Sequence, residues 1–205
     1  MKITLTTFLT LDGVMQAPGG PTEDTSGGFE QGGWLVPYAD EGMGRFMEKV
    51  FDRVDAFLLG RRTYDIFAAF WPQVTDENDP IASRLNNLPK YVVSTTLDKA
   101  EWNNSTVIGS DVAGEIARLK QQPGRELQIH GSGTLARSLM TEDLIDEYNL
   151  LVYPVVLGAG QRLFEQGSRP TSFALTDSST TESGVTIQTY RPTGRPEYGS
   201  FLLDQ

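Results

Sequence analysis

Glu126-Leu127-Gln128-Ile129-His130-Gly131-Ser132-Gly133-Thr134-Leu135-Ala136 reads as a short strand, a glycine turn and the start of a helix. The turn satisfies G-x-G-x-x-[G/A], a pattern whose glycines let the backbone approach a diphosphate at a helix N-terminus. A conventional Rossmann unit places that pattern in its first βα turn and an acid at the end of the next strand. Here it comes late, and the following strand runs out through Tyr153-Pro154-Val155-Val156-Leu157-Gly158 without an acid. The stretch therefore predicts an α/β fold that is not a conventional Rossmann domain, with a phosphate at the turn left open.

Upstream, residues 2–9 read as a first strand that leaves through Leu11-Asp12-Gly13, a turn signal. Residues 16–33, rich in Gly, Pro and Thr, read either as a disordered loop or as a mobile lid. Helical spacing of Met43, Phe46, Met47, Val50 and Phe51 predicts a helix over 39–53. A buried strand at 56–59, a helix at 62–70, and strands at 91–93 and 106–108 follow. Residues 111–121 and 134–140 are the next helices. A long strand at 147–157 and two more near 172–181 and 184–191 complete the pattern. Strands that alternate with helices early and neighbour each other late predict a mostly parallel sheet ending in an antiparallel hairpin. The expected domain covers 1–191, with 192–205 as a tail whose Phe201-Leu202-Leu203 docks on the domain or on a partner.

Composition narrows the chemistry. The 205 residues suit one domain, contain no cysteine and one histidine, and carry a formal charge of −10. Thiolate zinc sites, iron–sulfur clusters and disulfides are excluded, as are His-rich metal sites, so no metal is expected. The acidic balance argues against nucleic acid. The N-terminus alternates like a strand and lacks a signal peptide's apolar run, and no stretch is long enough to span a membrane. A cytoplasmic protein is expected.

Two other strand ends could hold an anion. Gly60-Arg61-Arg62-Thr63 closes the strand at 56–59 and opens a helix, where free N–H groups and an arginine suit a phosphate. The same residues also read as a glycine turn with two solvated arginines and Thr63 as a cap. Ser94-Thr95-Thr96 follows Tyr91-Val92-Val93, and its hydroxyls suit a phosphate or a turn. Asp12, Asp40 and Glu41 are the nearest acids. Asp12 also suits the turn before Gly13, and the other two suit a helix's first turn. His130 reads as a general acid or base, or as a strand-end residue that packs locally.

In this order the segments resemble the dihydrofolate-reductase-like superfamily, and more closely the reductase domain of the bifunctional riboflavin-biosynthesis deaminase-reductase. The resemblance rests on Leu11-Asp12-Gly13, the Gly-rich loop ending in Trp34, Phe57 to Tyr64, and Val92 to Thr96. Gly131 to Leu135, Ile145-Asp146-Glu147, Pro154 to Gly160 and Leu163-Phe164 complete it. It implies a three-layer fold and NADPH in an extended pose across the strand ends. Gly60, Arg61, Arg62 and Thr63 would hold the cofactor's phosphates, Ser94 and Thr95 the adenosine 2′-phosphate, and Gly131, Ser132, Gly133, Thr134 and Leu135 the pyrophosphate. The 16–33 loop would act as a lid.

The resemblance also implies hydride transfer to a C=N or C=O bond of a small heterocyclic or sugar-like substrate. The best candidate is 5-amino-6-(5-phosphoribosylamino)uracil. Asp12, then Asp40 or Glu41, would orient it or relay a proton. Trp34 and Arg162 would contact it, with Arg45, Lys49 and Arg169 as further cations for its phosphate. A folate or pteridine reductase and a non-catalytic nucleotide-binding protein are the alternatives. The position that carries the acid of true dihydrofolate reductases is Ala39 here, with Asp40 and Glu41 beside it. The chain has no deaminase domain, so a stand-alone reductase is expected, paired as a homodimer like its relatives.

Overall fold

Apolar side chains point both ways from the strand at 56–59, and the strands at 2–9 and 126–130 bury side chains on both faces, so the sheet needs a helix layer on each side. The computed structural model describes residues 1–76 and 78–201. Its strands are β1 (Lys2–Thr10), β2 (Val54–Gly60), β3 (Lys90–Val93), β4 (Ser105–Ile108), β5 (Glu126–His130), β6 (Glu147–Tyr153), β7 (Ser172–Thr180) and β8 (Thr186–Gly194). Its α-helices are α1 (Glu41–Asp52), α2 (Arg61–Phe70), α3 (Pro80–Asn87), α4 (Val112–Gln121) and α5 (Gly133–Thr141). One sheet has the order β4-β3-β2-β5-β1-β6-β8-β7. All its pairs are parallel except β6–β8 and β8–β7, giving the expected C-terminal hairpin.

Two cores flank the sheet. On one side Val50 and Phe51 of α1 and Leu85 of α3 pack on Phe57, Leu59, Val92, Leu151 and Tyr153. On the other, Ile116 and Leu119 of α4 and Leu135, Ala136 and Leu139 of α5 pack on Ile3, Leu5, Leu58, Leu127 and Ile129. The connections from β1, β2 and β3 move the chain toward one edge, and those from β4 and β5 bring it back. Beta2 and β5 are thus neighbours whose exits diverge, the kind of switch point where open α/β sheets bind ligands.

The structure alters several boundaries. Helix α3 lies in a stretch for which no element was expected; Asp79 caps it by accepting from Ile81 and Ala82 N–H, and Pro80 opens it. Strand β6 stops at Tyr153 rather than 157, because Pro154 has no N–H to offer and Val155 N–H turns back to the Tyr153 carbonyl. Strand β8 continues to Gly194, past residue 191. Phe201 is exposed, and Leu202 and Leu203 lie outside the described residues. Among the described residues no helix is long and apolar enough to cross a membrane.

Candidate functional site

Helices α2 and α5 begin where β2 and β5 end, and neither has a side-chain cap. By contrast, α1 and α3 are capped by Asp40 and Asp79. The α2 and α5 starts are knitted together. Gly60 N–H donates to Ser132 Oγ at 3.0 Å, Ser132 Oγ donates to the His130 carbonyl at 3.0 Å, and Ser132 N–H donates to Thr63 Oγ1 at 3.0 Å. Gly131 (φ 54°) and Ser132 (φ 52°) are both left-handed, a pair that turns the chain sharply off β5 into α5. A Cβ on Gly133 would sit 2.8 Å from Met15 Sδ, so this first turn has no room for a larger residue without movement. The knot uses Thr63 and Ser132 internally and leaves first-turn N–H groups of two helices on one edge, a natural place for an anion.

The two arginines differ. Arg61 is half-buried and forms an i,i+4 ion pair with Asp65 at 2.7 Å. Arg62 reaches across to the 16–33 loop, where Nη1 meets Asp24 Oδ2 at 2.9 Å and Ser26 Oγ at 3.0 Å. That loop is folded, not open. Gln16 Nε2 donates to the Asp24 and Ser26 carbonyls, Gln161 N–H donates to Gln16 Oε1, and Ala17 and Phe29 are buried. Asp24 is held below the usual carboxylate range by Ser26 and Arg62, against the opposing effect of burial. A carboxylate of the protein's own loop thus sits on one of the two arginines at the α2 start. Ser94 is a turn former: its Oγ accepts from Thr96 and Leu97 N–H, while Thr95 is exposed beside it.

The expected acids have other engagements. Asp12 accepts from Thr10 Oγ1 (2.6 Å), Gly158 N–H (2.8 Å) and Leu157 N–H (3.2 Å). Those bonds, Thr10's above all, bring it down to about 2 against some desolvation, so it is ionised at neutral pH and fixed to the 157–158 turn. Arg162 is its partner, with Nε on the Asp12 carbonyl at 2.7 Å and Nη2 on its carboxylate at 3.2 Å. Asp40 caps α1 through Met43 N–H and accepts from Ser183 N–H, both at 2.9 Å, and these bonds hold it well below the usual range. Glu41 is exposed and pairs with Arg45. Trp34 is buried with its Nε1–H on the Gln16 carbonyl, and it stands edge-on to Tyr153 at 5.3 Å.

Tyr153 is the centre of an aromatic box that also contains Phe8 and Tyr38, and its hydroxyl meets Met43 Sδ at 2.9 Å. Burial, with a smaller push from Asp40, raises its pKa. Two clefts lie elsewhere. One of about 790 Å³ lies among Tyr64, Ala68, Asn86 and Trp102, and another of about 580 Å³ lies along Thr134, Arg137, Phe164 and Phe173. Volume alone marks neither as a reaction site. In the first, Asn86 is already committed to the Trp71 carbonyl and Trp102 Nε1. Convergent unused donors favour the β2–β5 edge.

A family model described as the RibD C-terminal domain matches residues 1–187. The chain belongs to the RibD C-terminal domain family. The uncharacterized protein YyaP of Bacillus subtilis (strain 168) is 26% identical over 195 residues, covering 94% of this chain and 96% of that protein. A Shewanella sp. PV-4 structure, provisionally assigned to riboflavin biosynthesis, is 23% identical with a TM-score of 0.71, over 94% of this chain and 99% of the other. Dihydrofolate reductase from Enterococcus faecalis, solved with NADP(H), is 13% identical with a TM-score of 0.60, over 94% and 96% of the two chains. At these identities the two solved structures show a shared fold, dihydrofolate-reductase-like.

Sequence reasoning assigned no role to Gln16, Asp24, Ser26 or Thr6. Asp24 and Ser26 carried the one usable signal, as polar residues in a long loop between two elements, but only the fold brings them to Arg62.

Proposed function

We propose that this member of the RibD C-terminal domain family is an NADPH-dependent reductase acting on a C=N or C=O bond of a small heterocyclic or sugar-like molecule. The best candidate substrate remains 5-amino-6-(5-phosphoribosylamino)uracil. The observation that carries the reading is the pair of uncapped helix starts joined at the β2–β5 switch point, in a protein of net charge −10. An otherwise acidic protein that leaves such an edge uncapped has a place suited to a dianionic linker.

In this reading the first-turn N–H groups of Gly133, Thr134 and Leu135 hold the pyrophosphate, while Gly131, Ser132, Gly60 and Thr63 shape the turn beneath it. Arg62 is the main phosphate cation, Arg61 a peripheral one, and Ser94 and Thr95 sit beside the 2′-phosphate. When bound, the reduced nicotinamide supplies a hydride; the protein supplies orientation and a water-poor setting. The 16–33 loop, held by Gln16 and Trp34, excludes water from one side. Asp12 and Arg162 act by holding the 157–158 turn rather than by moving a proton, and Asp40 by starting α1.

A folate reductase draws less support, since Ala39 stands where the acid is needed and Asp40 is spent on a cap. A homodimer at a cytoplasmic location is part of the proposal. Strand β7 is one of the two edges of the sheet, and Leu175 on it is 53% exposed. Light scattering on the eluted protein would read the mass.

Calorimetry with NADPH and NADH tests the cofactor. Micromolar NADPH binding with much weaker NADH binding is expected. Equal affinities would remove the 2′-phosphate role of Ser94 and Thr95, and no binding of either would overturn the reading. Binding without turnover of any candidate substrate would instead favour a non-catalytic nucleotide-binding protein.

A further inference from the structure

The α1 side of the sheet carries two buried hydrogen-bond chains that run toward one point. The first runs along β5. Gln128 Nε2 donates to the Val50 carbonyl at 2.7 Å and to Glu126 Oε2 at 2.8 Å, and both partners only accept. The amide orientation is thereby settled, leaving Gln128 Oε1 to face His130 Nε2 at 3.1 Å. Glu126 is in turn held by Arg53 and Lys2. His130 Nε2 must therefore be the protonated nitrogen, and in the neutral ring Nδ1 carries the lone pair. Burial lowers the ring's pKa to about 4, which keeps it neutral.

Nδ1 bonds to none of the described residues. It is not sealed either: the side-chain polar atom both sealed and partnerless among them is Ser105 Oγ. With Nε2 turned back toward Gln128, Nδ1 lies on the ring edge that faces away from it, toward the carboxyl end of β5. Phe51 stacks on the ring at 4.8 Å and fixes its plane.

The second chain crosses the sheet. Thr189 Oγ1 donates to Asn149 Oδ1 at 3.1 Å, and Asn149 Nδ2 donates to Thr6 Oγ1 at 3.1 Å. Thr6 Oγ1 is thus an acceptor in the chain, and its own proton is free to be given onward. Thr6 is paired in register with His130, and the two are 2% and 6% exposed. Strand β5 ends at this level while β1 continues to Thr10, so beyond the pair β1 has no strand partner on the β5 side.

We propose that Thr6 and His130 read the HN–C=O edge of a ring amide in the substrate, with His130 Nδ1 accepting the ring N–H and Thr6 Oγ1 donating to the carbonyl. Gln128 is the positioning residue that sets the tautomer. This rests on the reductase reading, and it makes the substrate a lactam-bearing heterocycle rather than a plain sugar.

The single histidine makes the test direct. In the full ¹⁵N-labelled chain, the free protein should show one imidazole with Nε2 protonated and Nδ1 bare. With NADPH present, saturating 5-aminouracil should shift the Nδ1 resonance and leave Nε2 in place, whereas 1,3-dimethyluracil, with its ring N–H groups blocked, should leave both unchanged. Thr6→Val should weaken 5-aminouracil binding about tenfold with the tautomer intact, and Gln128→Leu should mix the tautomers. A free protein protonated at Nδ1, an Nδ1 that ignores 5-aminouracil, or an equal response to the dimethyl compound overturns the proposal. NADPH binding in the same tubes separates the two readings. Its absence alongside the expected imidazole response would sink the reductase and spare the subsite.

Discussion

The two faces of the sheet are buried alike but built differently. Toward α4 and α5 the strands present Ile3, Leu5, Leu58, Leu127, Ile129 and Leu150, an aliphatic surface that only packs. Toward α1, at the same depth, they present Thr4, Thr6, Gln128, His130 and Asn149 among aromatic rings. Polar groups in a core cost stability unless each is hydrogen-bonded, and here all but the ends of two chains are. One face stabilises the fold; the other gives up some of that stability for groups that a ligand can use.

The largest expected effect tests the first half of that contrast. Leu127→Ala should destabilise the protein by about 3–5 kcal/mol, the range for a buried leucine that leaves a cavity, read by urea unfolding, with NADPH affinity unchanged under native conditions. Gln128→Leu, its neighbour facing the other way, should cost less, about 1–3 kcal/mol for the unmet groups left behind. If the polar side proved the more costly to alter, the division of labour would be wrong.

Acid should strike the polar face next. His130 is neutral in the folded protein, with its pKa lowered to about 4 by burial, and ordinary once unfolded. The unfolded chain therefore binds the extra proton, so the stability tied to neutral His130 is complete above pH ~6.5 and lost as pH falls toward 4. The loss amounts to about 3 kcal/mol. Urea midpoints of the native chain and His130→Gln, taken across that window, should differ in slope; parallel curves would mean the ring is not buried neutral.

Two smaller changes concern the loop that closes this side. Arg62→Ala should weaken NADPH binding by about 1.5–3 kcal/mol, the scale of a charged hydrogen bond, whereas Arg61→Ala, whose guanidinium is held back along α2 by Asp65, should cost under about 1 kcal/mol. Asp24→Asn should act in the opposite direction and tighten NADPH a few-fold, because the loop's carboxylate no longer competes for Arg62. Calorimetry reads all three. A weaker Asp24→Asn complex would make Asp24 a support for the site rather than a rival to the phosphate.

The fold was legible because glycine turns and apolar runs are local signals. Gly60 and Gly131 mark strand exits without reference to the rest of the chain. Helix α3 carried its own start signal in Asp79-Pro80, but its few apolar residues, Ile81 and Leu85, left the period faint. The site was less legible. Thr4, Thr6 and Gln128 carry no signal of their own in the sequence, and His130 reads there only as an acid or base or as a strand-end residue that packs locally. Their burial follows only once α1 covers that face and strands far apart in sequence become neighbours. Asp12 and Arg162 were found as residue types, yet the bonds between them come from a turn that the linear pattern does not show.

Strand β1 lies near the middle of the sheet, and its partners β5 and β6 begin at Glu126 and Glu147. Of these eight strands the earliest in sequence is therefore among the last to find its place. Most of the chain must be present before Lys2–Thr10 has anything to pair with. Such distant pairing slows folding and leaves an apolar segment exposed in the meantime. A chain cut short before β6 would lack Asn149, which holds Thr6, and also one of the two strands that hold its own beginning in place.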